Sequence, residues 1–292
     1  MVCCALGTPT QHGIAREAGI VAPNPSGVGE VVQHNRLDRI SHWSGMIAAV
    51  SSETGVPRAV LRALMTIESG GLNDSIDPAT GARGLMHVTP HHLADVAGDV
   101  HGDLQDPLTN VRVAAWWLRG AYEQWGSWDL AAAAWHIGRW DLREQAFPTE
   151  YVRTFHEYLD QIGYQPSASE YAATALARAM EVRGAPYVGG GQSPDVGFDC
   201  SGLVWWAYGQ AGRGDMPRPN DNQWAYMQHI SREELRPGDV IFFGGSGWIS
   251  HVGLYAGDGL MLHAQDYGVP VGFSALSDSY WANNVVGYGR IP

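Results

Sequence analysis

The sequence predicts two domains of different class, an all-α first half and an α+β second half. Three observations predict it. Between residues 36 and 162 the apolar residues recur at helical spacing, with Pro and Gly punctuating the periodic runs. Between 239 and 290 they fall in short alternating runs bounded by turn residues, as half-buried strands do. Between the two patterns lies Gly163-Tyr164-Gln165-Pro166-Ser167-Ala168-Ser169, whose Pro and small polar residues read as a domain linker. A chain of 292 residues is long enough for two domains of ordinary size.

Residues 1–35 are rich in Gly, Pro and Val and read as a flexible lead-in. Candidate helices follow at 36–54, 57–69, 90–97, 108–125, 128–137 and 148–162. Pro57 suits the first position of the second of these, and Gly70-Gly71 end it. Val60, Leu64 and Ile67 give that helix one apolar stripe. Ala114-Ala115-Trp116-Trp117-Leu118 reads as core, and Trp116, Trp117, Trp125, Trp128, Trp135 and Trp140 are unusually dense. In the second half a helix is expected at 170–183 and another at 200–211, the latter capped by Asp199. Residues 251–256 and 260–264 read as a hairpin around Gly257-Asp258-Gly259. No internal repeat is visible.

The chemistry concentrates in two places. Cys200 opens a helix, where the positive end of the dipole favours a thiolate. On the hairpin, His251, Gly253 and Tyr255 alternate onto one face, and Met261 and His263 share a face of the second strand. Folding about residue 257 sets 251 across from 263, with Cβ atoms roughly 5 Å apart, so that one imidazole can hold the other. Thiol, base and orienting partner follow the logic of acyl transfer. In the first half, Glu68 falls at the C-terminal end of an apolar helix. The dipole there disfavours a carboxylate and favours the acid form that a general acid requires.

Composition excludes several classes. A formal net charge of −12 argues against nucleic acid as a partner. The three cysteines are Cys3, Cys4 and Cys200; an adjacent pair and one committed thiol do not make a disulfide scaffold. No apolar run approaches a transmembrane segment, and the start lacks the charged and apolar regions of a secretory signal. His87, His91 and His92 have a spacing that can hold a metal on a helix, but Thr89-Pro90 interrupts it. No metal or other cofactor is expected.

From about Ala168 to Pro292 the sequence closely resembles the NlpC-type cell-wall cysteine peptidases, a papain-like α+β fold. The resemblance is carried by Gly184-Ala185-Pro186-Tyr187-Val188, by Gly197-Phe198-Asp199-Cys200-Ser201-Gly202-Leu203-Val204, by Pro237-Gly238-Asp239-Val240-Ile241-Phe242-Phe243 and by His251-Val252-Gly253-Leu254-Tyr255. It implies Cys200 as nucleophile, His251 as general base and His263 as the orienting third residue. It implies that Tyr187, Asp199 and Ser201 line the substrate site and read the free amino end of a peptide. Backbone N–H groups at the helix start, including that of Cys200, would meet the oxyanion. The substrate implied is a peptidoglycan stem peptide, cut between γ-D-glutamate and the diamino acid. The same thiol chemistry also serves an acyltransferase or an amidase.

Residues 36–162 resemble the lytic transglycosylases with a lysozyme-like helical fold. The motifs are Glu68-Ser69-Gly70-Gly71, Gly81-Ala82-Arg83-Gly84-Leu85-Met86 and Asp106-Pro107-Leu108-Thr109-Asn110-Val111. Ala133-Ala134-Trp135-His136-Ile137-Gly138 occupies the place of that family's Ala-Tyr-Asn-Ala-Gly segment. The resemblance implies Glu68 as the catalytic acid/base, with Met86, His87, Trp135, His136 and Tyr151 contacting sugar and Trp135 the residue set to stack on a ring. Two departures alter the sugar-contacting wall: His87 stands where the family has Gln, and Trp135-His136 where it has Tyr-Asn. A transglycosylase needs one carboxylate and yields a 1,6-anhydro end, which is the expected product. A hydrolytic muramidase usually needs a second carboxylate, and Asp74 and Asp77 lie in ordinary turn sequences. A third reading keeps the first domain as a non-catalytic glycan grip. Such two-domain wall enzymes are carried by phage tails and conjugation machines, so action at the cell wall after delivery of that kind is expected.

Overall fold

The computed structural model describes residues 39–245 and 247–292; the rest of the lead-in, with Cys3 and Cys4, lies outside them. The first half is helical, with helices Ser44–Thr54, Arg58–Glu68, Pro90–Asp95, Pro107–Trp125, Trp128–Ile137 and Thr149–Gln161. Local chemistry sets their ends. Asp106 accepts the Thr109 N–H at 2.8 Å and Pro107 takes the first helical position, so the long helix starts there. Gly126 closes it in the left-handed conformation, and Ser127 caps the next helix at once by accepting the Asp129 N–H. Trp117 and Trp125 are fully buried between these helices. Each indole N–H still has an acceptor, the Asp95 carboxylate and the Trp140 carbonyl, both at 2.8 Å.

The second half holds a six-stranded antiparallel sheet and a small hairpin of β1 (Gln192–Ser193) with β2 (Gly197–Phe198). The sheet strands are β3 (Gln228–Ile230), β4 (Val240–Gly245), β5 (Trp248–Tyr255), β6 (Leu260–His263), β7 (Gly272–Ala275) and β8 (Val285–Arg290), in spatial order β3-β8-β4-β5-β6-β7. Central β4 buries Val240, Ile241, Phe242 and Phe243 on both faces. Helix Cys200–Gln210 packs between β5 and helix Ala168–Glu181, which brings the start of the thiol helix against the strand carrying His251. Two short helices, Asn220–Tyr226 and Ser279–Asn284, have no sequence signal. They are seven and six residues long and rich in Asn, which by itself favours turns.

The segment that reads as a linker is a packed joint. Gly163 turns the chain in the left-handed conformation, and Ser167 and Glu170 form a reciprocal capping box on helix Ala168–Glu181. The Tyr164 hydroxyl donates to the buried Glu170 at 2.7 Å. That helix then lies on helix Trp128–Ile137 of the first half. Arg178 donates to Asp129 at 2.8 Å, with 8% and 2% of the two side chains exposed, so this ion pair is desolvated between the halves. Arg183 donates to the Arg143 and Gln145 carbonyls, and Arg143 pairs with Asp258 at 2.8 Å. One buried apolar cluster runs through both halves.

Candidate functional site

The second-half site is built on the start of helix Cys200–Gln210. Asp199 caps it: one carboxylate oxygen accepts the Gly202 N–H at 2.6 Å and the Ser201 hydroxyl at 3.0 Å, and the other accepts the Gly190 N–H at 2.9 Å. Arg218 donates to both oxygens, at 2.8 and 2.6 Å, and also to Gln192 at 2.7 Å. Ser201 is buried. Asp199, 15% exposed, also faces the site where a free ammonium is expected. Arg218 pairs with that carboxylate, and Asp199 and Ser201 also support the helix start. Arg218 carries no signal in the sequence, because its partner lies 19 residues away across a loop. Tyr187 packs edge-on against Tyr267 at 5.0 Å, and burial pushes its hydroxyl pKa up.

Cys200 is 8% exposed. Burial pushes its thiol pKa up. The backbone N–H groups of Val252 and Ser201 and the side chain of Asn220 pull it down, but less. The helix start alone favours thiolate; here desolvation wins, and the resting group is a thiol. The contact with Val252 sets the sulfur beside the strand residue next to His251.

His251 Nε2 lies 2.7 Å from His263 Nδ1, and His263 Nε2 lies 2.9 Å from the Ser274 hydroxyl oxygen. Ser274 donates in turn to Gln265 Oε1 at 3.5 Å. With its proton spent there, Ser274 accepts from His263 Nε2–H. His263 Nδ1 is then the acceptor for His251 Nε2–H, and His251 Nδ1 is left with a free lone pair. Burial drops His251 to about 4, and burial with the neighbouring His251 drops His263 to about 3, so both rings are neutral near pH 7. Trp281 packs on both imidazoles at 5.0 and 4.9 Å.

The hairpin register differs from expectation. Leu254 pairs with Leu262 and Tyr255 with Met261, which centres the turn on Asp258 and sets Gly253, not His251, opposite His263. The histidines meet on the diagonal. Gly253 makes this possible, since a Cβ there would lie 3.0 Å from Met261 Sδ and 3.2 Å from His263 Cβ. Ser274 and Gln265 were not legible because they depend on the β6–β7 pairing.

The first-half site surrounds Glu68, the last residue of helix Arg58–Glu68. The Tyr151 hydroxyl donates to Oε1 at 2.5 Å; burial first, and then the Glu68 charge, raise that phenol well above its ordinary value. His87 Nδ1 lies 3.3 Å from Oε2, and His87 Nε2 lies 2.6 Å from the Ser75 hydroxyl. His87 has φ 48°, a left-handed conformation that costs a side-chain-bearing residue about 1 kcal/mol. Asn110 holds the loop in place. Wholly buried, it donates to the Arg83 and Leu104 carbonyls at 2.7 and 2.8 Å and accepts the Met86 N–H at 2.9 Å. Gly84 admits it, because a Cβ there would lie 2.4 Å from its amide.

Two sugar-contact expectations change, those for Met86 and Trp135. Met86 is wholly buried, so its part is the backbone bond to Asn110. Trp135 is 2% exposed and stacks on His92 at 3.9 Å, so no face is open to a sugar ring. His87 touches Glu68 itself. His136 stacks on Tyr151 at 4.2 Å and braces the phenol from behind. Asp77 is bound in its own turn by the Ala79 N–H and the Thr80 hydroxyl.

Residues 45–150 match the model of the Transglycosylase SLT domain, and residues 184–290 match that of the NlpC/P60 family. Among curated relatives, the bifunctional muramidase/DL-endopeptidase CwlT of Bacillus subtilis (strain 168) is 39% identical over 125 residues, 42% of this chain and 37% of that protein. The gamma-DL-glutamyl hydrolase of the same organism is 35% identical over 147 residues, 49% of this chain and 35% of that protein. The murein DD-endopeptidase MepH of Escherichia coli (strain K12) is 37% identical over 121 residues, 40% of this chain and 45% of that protein. The chain thus spans less than half the length of each of these relatives. Among the described residues no helix is long and apolar enough to cross a membrane.

Proposed function

We propose that this chain, which joins a transglycosylase SLT domain to an NlpC/P60 domain, is a bifunctional peptidoglycan hydrolase. The second domain cuts the stem peptide at the γ-D-glutamyl–diamino acid bond. His251 Nδ1 takes the Cys200 proton as the sulfur attacks the scissile carbonyl, so ionisation and attack are coupled. The oxyanion is met by backbone N–H groups at the start of helix Cys200–Gln210. The imidazolium, held by His263, gives its proton to the leaving amine as the C–N bond breaks. Water then cleaves the thioester with the same base. The observation that carries this reading is the row of contacts from His251 Nε2 to His263 Nδ1, from His263 Nε2 to Ser274 and from Ser274 to Gln265, which turns His251 Nδ1 away from its partner ring to act as base.

The first domain cleaves the glycan between N-acetylmuramic acid and N-acetylglucosamine. Tyr151 holds Oε1 of Glu68 as a donor, and the acid proton passes from Glu68 to the glycosidic oxygen. The carboxylate left behind keeps the Tyr151 hydrogen bond and is reprotonated before the next turn. The place of action is the bacterial wall, and two wall-cutting activities on one chain suit delivery by a phage tail or a conjugation machine.

Digestion of purified peptidoglycan with the full chain tests the reading. Mass spectrometry is expected to find new free amines on the diamino acid and new glycan ends. Amines without glycan ends would reduce the first domain to a glycan grip. Release of neither would overturn the proposal.

A further inference from the structure

A glutamic acid can run a transglycosylation alone, because the sugar's own hydroxyl returns the proton. Attack by water needs a base that holds the water and collects its proton. The Glu68 site contains such a path. His87 uses both ring nitrogens, Nδ1 toward Glu68 Oε2 at 3.3 Å and Nε2 toward the Ser75 hydroxyl at 2.6 Å. Ser75 and Glu68 are both part-buried, at the two ends of this chain. The imidazole is held there against backbone preference at φ 48°. Asn110 fixes the loop on one side, and the Gly84 N–H to Ser75 carbonyl bond at 2.9 Å ties the serine strand to it on the other. A strained residue with both ring nitrogens engaged in a pinned loop is arranged as a relay. A side-chain amide at this position could hydrogen-bond but could not pass a proton.

We propose that Ser75 and His87 form the base that lets the Glu68 site use water, so that the first domain is hydrolytic and leaves reducing ends. The inference rests on the reading of Glu68 as the glycan-cleaving acid. Glu68 gives its proton to the glycosidic oxygen, which keeps the electron pair of the broken C1–O bond. A water oxygen bonds to C1. Its proton passes to Ser75 Oγ, the Ser75 proton to His87 Nε2, and the Nδ1 proton to the Glu68 carboxylate. Glu68 is again an acid, and the imidazole is neutral with its proton on the other nitrogen, from which it resets. No second carboxylate is required in this scheme, and Asp77 is committed to its own turn.

The test is the ratio of reducing to 1,6-anhydro ends made by the full chain and by His87→Asn, His87→Gln and Ser75→Ala. Asn tolerates the left-handed backbone, and stem-peptide cleavage by the same samples reports that each variant is folded. The parent is expected to give reducing ends. His87→Asn should slow their formation by about a hundredfold or more, the usual weight of a general base, and leave anhydro ends as the main residual product. Ser75→Ala should shift the ratio the same way. A merely structural role would lower the rate without moving the ratio. A parent that makes only anhydro ends overturns the inference and leaves Glu68 as the acid. A parent that leaves glycan intact overturns both. An unchanged ratio in His87→Asn also overturns the inference.

Discussion

Burial keeps the thiol and both imidazoles of the Cys200 site uncharged before substrate arrives. Because desolvation holds Cys200 above the ordinary thiol range, alkylation by iodoacetamide, followed by peptide mapping at Cys200, should keep accelerating past pH 9. A rate plateau near pH 6 to 7 would mean a preformed thiolate and contradict the account. Burial lowers His251 and His92 to about 4 and His263 to about 3. The unfolded chain therefore binds protons near pH 6.5 that the folded chain refuses. Stability is fully present above about pH 6.5 and falls as the pH drops toward 4. Burial also opposes charge on His156, but Asp129 outweighs it and raises that one group, which acts in the opposite sense. The urea midpoint should thus be lower at pH 5 than at pH 7.5; equal midpoints would contradict the burial argument. At this scale the sequence singles out Cys200, His251 and His263 by spacing and capping, and Glu68 by the resemblance of its motif. It cannot name Ser274, Gln265, Ser75 or Arg218, whose partners are chosen by register and loop closure.

Helices in this chain are legible where caps and Pro mark them, as at Asp106-Pro107 and Ser127. Loops are legible only as punctuation. The loop from Arg83 to Val88 shows why, since its shape is dictated by a side chain that lies on another element. Asn110 satisfies the Arg83 carbonyl and the Met86 N–H there, and the Leu104 carbonyl beside it, with no exposed surface. Asn110→Ala should cost about 3 kcal/mol by leaving buried groups unpaired, read as a lower denaturation midpoint, and should lower glycan cleavage far more than peptide cleavage. Loss of both activities in equal measure would deny the loop its local role. The β5–β6 turn teaches the same lesson at smaller cost. A run of three left-handed residues, Gly257, Asp258 and Gly259, moves the centre by one residue and the pairing by two. Both histidines still share a face because the shift is even.

The two domains read as separate in sequence, yet a buried ion pair and one continuous apolar cluster join them. Removing Arg178 leaves the buried Asp129 with His156 alone as its ionic partner and costs about 3 kcal/mol. Arg178→Met should therefore split a single calorimetric unfolding transition into two; one unbroken transition would show that the joint does not couple the halves. The sequence hides this coupling because Asp129 and Arg178 sit on helices whose caps and stripes are complete without each other. The measurement that tests the central claim most directly is the muropeptide spectrum after digestion by the full chain, Glu68→Gln and Cys200→Ala. The account predicts that Glu68→Gln abolishes new glycan ends and keeps the peptide cuts, while Cys200→Ala does the reverse. Glycan ends that survive Glu68→Gln, or peptide cuts that survive Cys200→Ala, would contradict it.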